Sequence, residues 1–184
     1  MRLNLFLKSF AYTVIILFII IFLFEVFVNQ DNKNYISTFD RISADEIKTN
    51  SDDFVVAIIS VNCPGKSTFM PQVKAIENIL LSANISFFIV NDSPNDKSHE
   101  IALQNMIDEF QITSKVYQID YNIYKTNGGL INAKRRYYDF ALDLYSSLTE
   151  LYLGYGYYIV FSDGKFQFDT YNHNEVLDFF NSKY

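Results

Sequence analysis

Residues 54–71 read FVVAIISVNCPGKSTFMP. The first seven, Phe54 to Ser60, form a continuous apolar run rich in β-branched side chains, the pattern of a strand buried on both faces. Over Pro64 to Ala83 the period changes. Phe69, Val73, Ile76, Leu80 and Leu81 recur at three- and four-residue steps, which predicts a helix with one apolar face. Ile85 to Val90 (ISFFIV) is a second buried strand. Strand, helix and strand in direct succession predict a right-handed βαβ unit with parallel strands.

Working outward, Asp96 to Phe110 reads as a helix, Lys115 to Tyr121 as a strand, and Leu130 to Leu153 as a helix after the Gly128-Gly129 break. Tyr157 to Phe161 and Lys165 to Thr170 flank Ser162-Asp163-Gly164, a hairpin signal because Asp-Gly suits a turn with two positive φ angles. Asn174 to Phe180 closes the chain as a helix. Upstream, Ser43 to Thr49 predicts a short helix, with Ser43 as N-cap and Glu46 completing a capping box. The soluble part is therefore mixed α/β.

The chain has 184 residues, 49% of them hydrophobic and 17% aromatic, which suits one folded core and excludes a disordered polymer. Twenty-one acidic against 15 basic residues give a formal charge of −6, and no basic run exceeds Lys134-Arg135-Arg136, so no nucleic-acid partner is expected. One Cys and two separated His, His99 and His173, provide neither an internal disulfide framework nor enough soft ligands for a structural zinc. No metal and no cofactor are expected. The two Asn-x-Ser triplets, at Asn84 and Asn91, are assigned no role.

Phe10 to Val28 reads FAYTVIILFIIIFLFEVFV. As a helix it spans about 28 Å, close to the ~30 Å hydrocarbon core of a bilayer. Arg2 and Lys8 precede it, as they would a secretory signal, but the run is longer than a cleavable h-region and VFVNQDNKN offers no small-x-small cleavage site. Glu25, one turn from the end, can snorkel to the interface. The expected organisation is a cytoplasmic N-terminus (1–9), a transmembrane helix (10–28), a linker (29–33) and a domain from 34 to 184. With the basic residues inside, that domain is extracytoplasmic, periplasmic in a bacterium, where thiol chemistry is available.

Cys63-Pro64-Gly65-Lys66 falls where the first buried strand turns into the helix, the edge at which α/β sheets present functional groups. Pro64 at the first helical position would make Cys63 the N-cap or its neighbour, where the helix dipole favours a thiolate. Lys66 would add a cation acting the same way. Cys63 and Lys66 are the candidate catalytic pair.

These residues resemble the thioredoxin-like superfamily, in particular its membrane-anchored thiol-disulfide oxidoreductases. Cys63 and, eight positions later, Pro71 stand at the spacing of that family's nucleophile and kink-forming proline, and YYIVFSDGKFQFDT (157–170) is similar to its hairpin. The resemblance covers residues 34 to 184 in the order β-α-β-α-insert-β-β-α, with the insert at about 111–154. It implies a three-layer α/β/α domain. Lys66 replaces the family's second Cys, Val61-Asn62 stands where a Trp is common, and Gly156, in Leu153-Gly154-Tyr155-Gly156-Tyr157, falls at the position of the cis-proline. The implied activity is monothiol thiol-disulfide exchange through Cys63 on a protein thiol or disulfide. Pro64, Gly65, Tyr155 and Gly156 would line the substrate site, and Pro71 would be structural. Two alternatives stay open: a non-catalytic binding or assembly module in which Cys63 is a small apolar filler, and, more remotely, a phosphate loop, since Ser60 to Ser67 (SVNCPGKS) lacks only the opening Gly of that pattern.

Overall fold

All six residues of strand β2 (Phe54–Ile59) are buried, and their side chains alternate between two cores. Val55, Ala57 and Ile59 enter one cluster, and Phe54, Val56 and Ile58 enter the other. A strand with period-two side chains and no polar face requires cover on both sides, and the chain supplies it. The structure, a computed structural model, describes residues 10, 12–20, 35–124, 136–146 and 156–183.

The elements follow the chain as β1 (Arg41–Ile42), α1 (Ala44–Lys48), β2, α2 (Lys66–Ser82), β3 (Ser86–Asn91), α3 (Lys97–Glu109), β4 (Val116–Ile119), α4 (Arg136–Leu144), β5 (Tyr157–Ser162), β6 (Lys165–Thr170) and α5 (His173–Lys183). They form a six-stranded sheet of order β1-β4-β3-β2-β5-β6. β1, β4, β3 and β2 run parallel, and β5 and β6 complete it antiparallel. The two crossovers β2-α2-β3 and β3-α3-β4 step across the sheet in the same direction. With a common hand they leave both helices on one face, where α2, α3 and α5 share the first cluster; α1 and α4 pack on the second. The expected α/β/α layering is present.

Most predicted elements hold. Ser43 caps α1 with Glu46 in a reciprocal capping box. The hairpin turns at Asp163 (φ +50) and Gly164 (φ +67), the left-handed pair that a two-residue turn needs. Asp53 accepts the amide of Asp163 and also pairs with Lys183, tying the turn to the last helix. Other findings depart from the sequence reading. β1 went unseen because two residues carry no periodicity. The stretch read as an insert, 111–154, contributes β4, an interior strand of the sheet. Of the helix expected over 130–153, Arg136–Leu144 is described and the remainder lies largely outside the described residues. In the N-terminal segment, residues 12–20 are helical with exposed apolar side chains, Phe18 being 70% exposed. Among the described residues no helix is long and apolar enough to cross a membrane; 21–28 lie outside them.

One buried charge organises the junction between α3 and β4. The Glu77 side chain is fully buried on α2, and its carboxylate accepts the amides of Thr113 (2.8 Å) and Ser114 and the ammonium of Lys74. Lys74 also donates to Gln111 O. Burial pushes this carboxyl up, but the bonds from Lys74, Ser114 and Thr113 outweigh it and hold it below its ordinary value. Its stabilisation is therefore complete above the ordinary value of 4.5 and fades as the pH falls through the lower, folded value. Glu77→Gln is expected to destabilise the fold by about 1–3 kcal/mol at neutral pH. Urea unfolding should show that difference shrinking below about pH 4.5.

Candidate functional site

Because β2, β3 and β4 are parallel, the segments that follow them emerge along one edge of the sheet. A closed ring of buried hydrogen bonds joins them. Ser93 Oγ donates to Asn91 Oδ1 (2.9 Å), Asn91 Nδ2 to Gln118 Oε1 (2.7 Å), and Gln118 Nε2 to Ser93 O (2.7 Å). The ring reaches the segment after β2 through Val61 N, which donates to Ser93 Oγ at 3.0 Å, and through the Ser60 hydroxyl, 3.3 Å from it. From α4, the buried Arg136 adds bonds to Asp92 Oδ1 and Ser93 O, each 3.3 Å. Asn91, one of the Asn-x-Ser acceptors, is thus a core side chain.

Cys63 stands on this platform. Its amide donates to Ser60 O, and its carbonyl accepts Lys66 N, both at 3.2 Å. The second bond closes a turn with Pro64 and Gly65 at its centre, and Gly65 (φ −83, ψ 6) has the third-residue geometry of a type I turn. That turn corrects the predicted helix start. Pro64 sets the turn instead of opening the helix, the cap is Gly65, and α2 begins at Lys66, so Cys63 lies two residues before the cap. Cys63 is partly buried, with its side chain against the first core cluster. Its sulfur lies 3.8 Å from where a Cβ on Gly65 would be. Lys66 is half-buried at the first helical position, and Pro64 and Gly65 are exposed.

The phosphate-loop alternative gains no support from this geometry. The amides of Val61, Asn62, Cys63 and Lys66 are already bonded within the protein, and Pro64 has none, so most of the amides such a loop would turn on a phosphate are committed elsewhere.

Pro71 lies inside α2, exposed, where it removes the amide that would bond Ser67 O. Gly156 is buried, φ +84, its amide donating to Ile58 O at 2.9 Å. A Cβ there would come within 2.9 Å of Phe69 on α2. Gly156 therefore lets the start of β5 pass directly against the helix that follows Cys63. Tyr155 lies outside the described residues.

The sequence reading missed the partners of Asn62, the residue before Cys63. His99, on the first turn of α3, receives Asn62 Nδ2 at Nε2 (3.0 Å) and meets Asp96 Oδ2 at Nδ1 (2.7 Å). Asp96 also caps α3, accepting the amides of Ser98 and His99. Burial raises its carboxyl, but the Ser98 and His99 bonds prevail and hold it below the usual carboxylate range. The Asp-x-x-His spacing at a helix start signals the Asp96–His99 contact; the partner Asn62, 37 positions away, has no sequence signal. Residues 35–39 lie over the same edge. Glu100 accepts the amide and hydroxyl of Thr38, and Tyr35 O accepts from Asn95. Among the described residues no group of three or more His, Cys, Asp or Glu could hold a metal.

No family model and no curated protein matches the sequence. Solved structures match the fold. A thiol:disulfide interchange protein of the thioredoxin family from Chlorobium tepidum TLS superposes with a TM-score of 0.50 at 10% identity, over 80% of this chain and 94% of its own. A thiol-disulfide isomerase from Corynebacterium glutamicum superposes with a TM-score of 0.50 at 16% identity, over 83% of this chain and 97% of its own. The neighbours are thioredoxin-like thiol-disulfide oxidoreductases, and the fold of this chain is thioredoxin-like. Within that fold Cys63, at the end of β2 and ahead of α2, is its sole cysteine.

The contact between Gly156 and Phe69 leads to a direct test. Gly156→Ala forces a side chain into a left-handed backbone and against an aromatic ring. The expected cost is about 2–4 kcal/mol, read from chemical unfolding, with Cys63 exposed to alkylation at lower denaturant.

Proposed function

We propose that the protein is a membrane-anchored, thioredoxin-like monothiol that exchanges with protein disulfides through Cys63. The observation that carries this reading is the position of the sulfur. It is held at the end of a rigid parallel strand and faces Gly65, the one residue of its turn with no side chain to cover it. The neighbouring structures named as thiol-disulfide proteins lend the chemistry. The Cys63 sulfur attacks one sulfur of a partner disulfide, and the partner's S–S bond breaks as the mixed disulfide forms. The displaced sulfur leaves with the electron pair and takes a proton from water. With Lys66 in place of a second cysteine, the chain cannot resolve the adduct; a thiol from another molecule must do so.

Anchoring rests on the apolar run 10–28, whose described part is helical with its side chains exposed, and on Arg2 and Lys8 ahead of it. That arrangement supports an extracytoplasmic domain. Tyr35, the first residue of the described domain, is bonded to Asn95 and to the Tyr121 hydroxyl, on the segments that follow β3 and β4. The chain therefore meets the domain at the same sheet edge as Cys63, which suits a partner at the membrane surface.

A specific observation favours the second reading, a non-catalytic binding module: the Cys63 side chain packs on the core cluster. The two readings separate on one experiment. With oxidised glutathione in excess, the native protein is expected to form a stable mixed disulfide on Cys63, and Lys66→Cys to convert that adduct into an intramolecular disulfide, because a closed four-residue turn brings its end Cα atoms within disulfide range. Intact mass and free-thiol titration of folded protein report both. If no adduct forms without denaturant, the exchange reading fails and the binding module stands.

A further inference from the structure

The Asp96–His99–Asn62 chain is unexplained by capping alone. Asp96 Oδ1 already satisfies the helix amides of Ser98 and His99, yet Oδ2 reaches 2.7 Å to the imidazole Nδ1. Because a carboxylate only accepts, Nδ1 carries the hydrogen, and in the neutral ring Nε2 is left as an acceptor. The atom that meets it is the Asn62 Nδ2 amide, a donor, at 3.0 Å. The two contacts thus select one tautomer and point its free lone pair at the residue immediately before Cys63. Asn62 is otherwise exposed, and its backbone amide bonds to Ser60 Oγ. The His99 bond is what ties this side chain, and with it the outer half of the Cys63 turn, to α3.

We propose that His99, oriented by Asp96, is a positioning residue for Cys63: through Asn62 it holds the turn in the conformation from which the sulfur attacks a partner disulfide. This deepens the exchange reading and depends on it.

The test uses the full chain and oxidised glutathione, following mixed-disulfide formation on Cys63 by mass at about pH 8, where thiolate is available. His99→Leu removes the acceptor and is expected to slow capture about tenfold, the weight of one well-made hydrogen bond. His99→Gln offers Asn62 a carbonyl acceptor and is expected to restore most of the rate, a rescue that a general loss of packing at this position would not show. Asn62→Ala combined with His99→Leu should be no slower than either alone, since both cut the same link. Thermal unfolding confirms that the compared variants are folded; if His99→Leu is not, the His99→Gln and Asn62→Ala rates decide. If native protein captures glutathione but Asn62→Ala and His99→Leu capture it equally fast, or His99→Gln is as slow as His99→Leu, the positioning role is overturned and the exchange reading survives. If native protein does not capture it at all, the exchange reading fails and this role with it.

Discussion

Ser93 is the point at which the sheet and the Cys63 turn become one object. Its hydroxyl and carbonyl close a ring with Asn91 and Gln118, and the same hydroxyl takes the amide of Val61. Each of these groups is nearly out of water, Ser93 completely. An unpaired polar atom there costs a few kcal/mol, so each member is stable only because the others are in place. The ring also enforces register. Sliding β4 by one residue would turn Gln118 to the opposite face, taking its acceptor from Asn91 Nδ2 and its donor from Ser93 O.

The functional turn inherits that rigidity from one side and lacks it on the other. Val61 and Ser60 are pinned to the ring, whereas Asn62, Pro64 and Gly65 are exposed. In the proposed exchange this division would let the strand fix where the sulfur sits and leave the exposed side of the turn to a partner disulfide. Behind it, the close approach of Gly156 to Phe69 locks β5 against α2, so the helix that follows Cys63 cannot drift from the sheet.

Local signals were legible wherever a few neighbouring residues decide the conformation. Ser43 and Glu46 cap α1 because both partners lie within one turn, and Asp163-Gly164 bends the hairpin because few other pairs adopt two positive φ angles at low cost. The interior strand β2 announced itself as an unbroken apolar run and β3, buried over Ile89 to Asn91, as a largely apolar one. The start of α2 was misplaced by two residues for a local reason too: Pro-Gly after a strand can open a helix or close a turn, and here the bond from Lys66 N to Cys63 O selects the turn.

What the sequence by itself determined is most of the elements and the location of Cys63 at a strand-to-helix junction, because periodicity and turn chemistry act over a few residues; the three-layer arrangement was an expectation that the resemblance implied. Only the tertiary structure decided what holds the segments around that junction. From the sequence His99 was one of two separated histidines, and Asn91 opened an Asn-x-Ser triplet with no role assigned. Their roles come from partners 37 and 27 positions away, brought together by the parallel order of β2, β3 and β4. Hydrogen-bond partners across a sheet edge follow from strand order and register, and no window of sequence contains either.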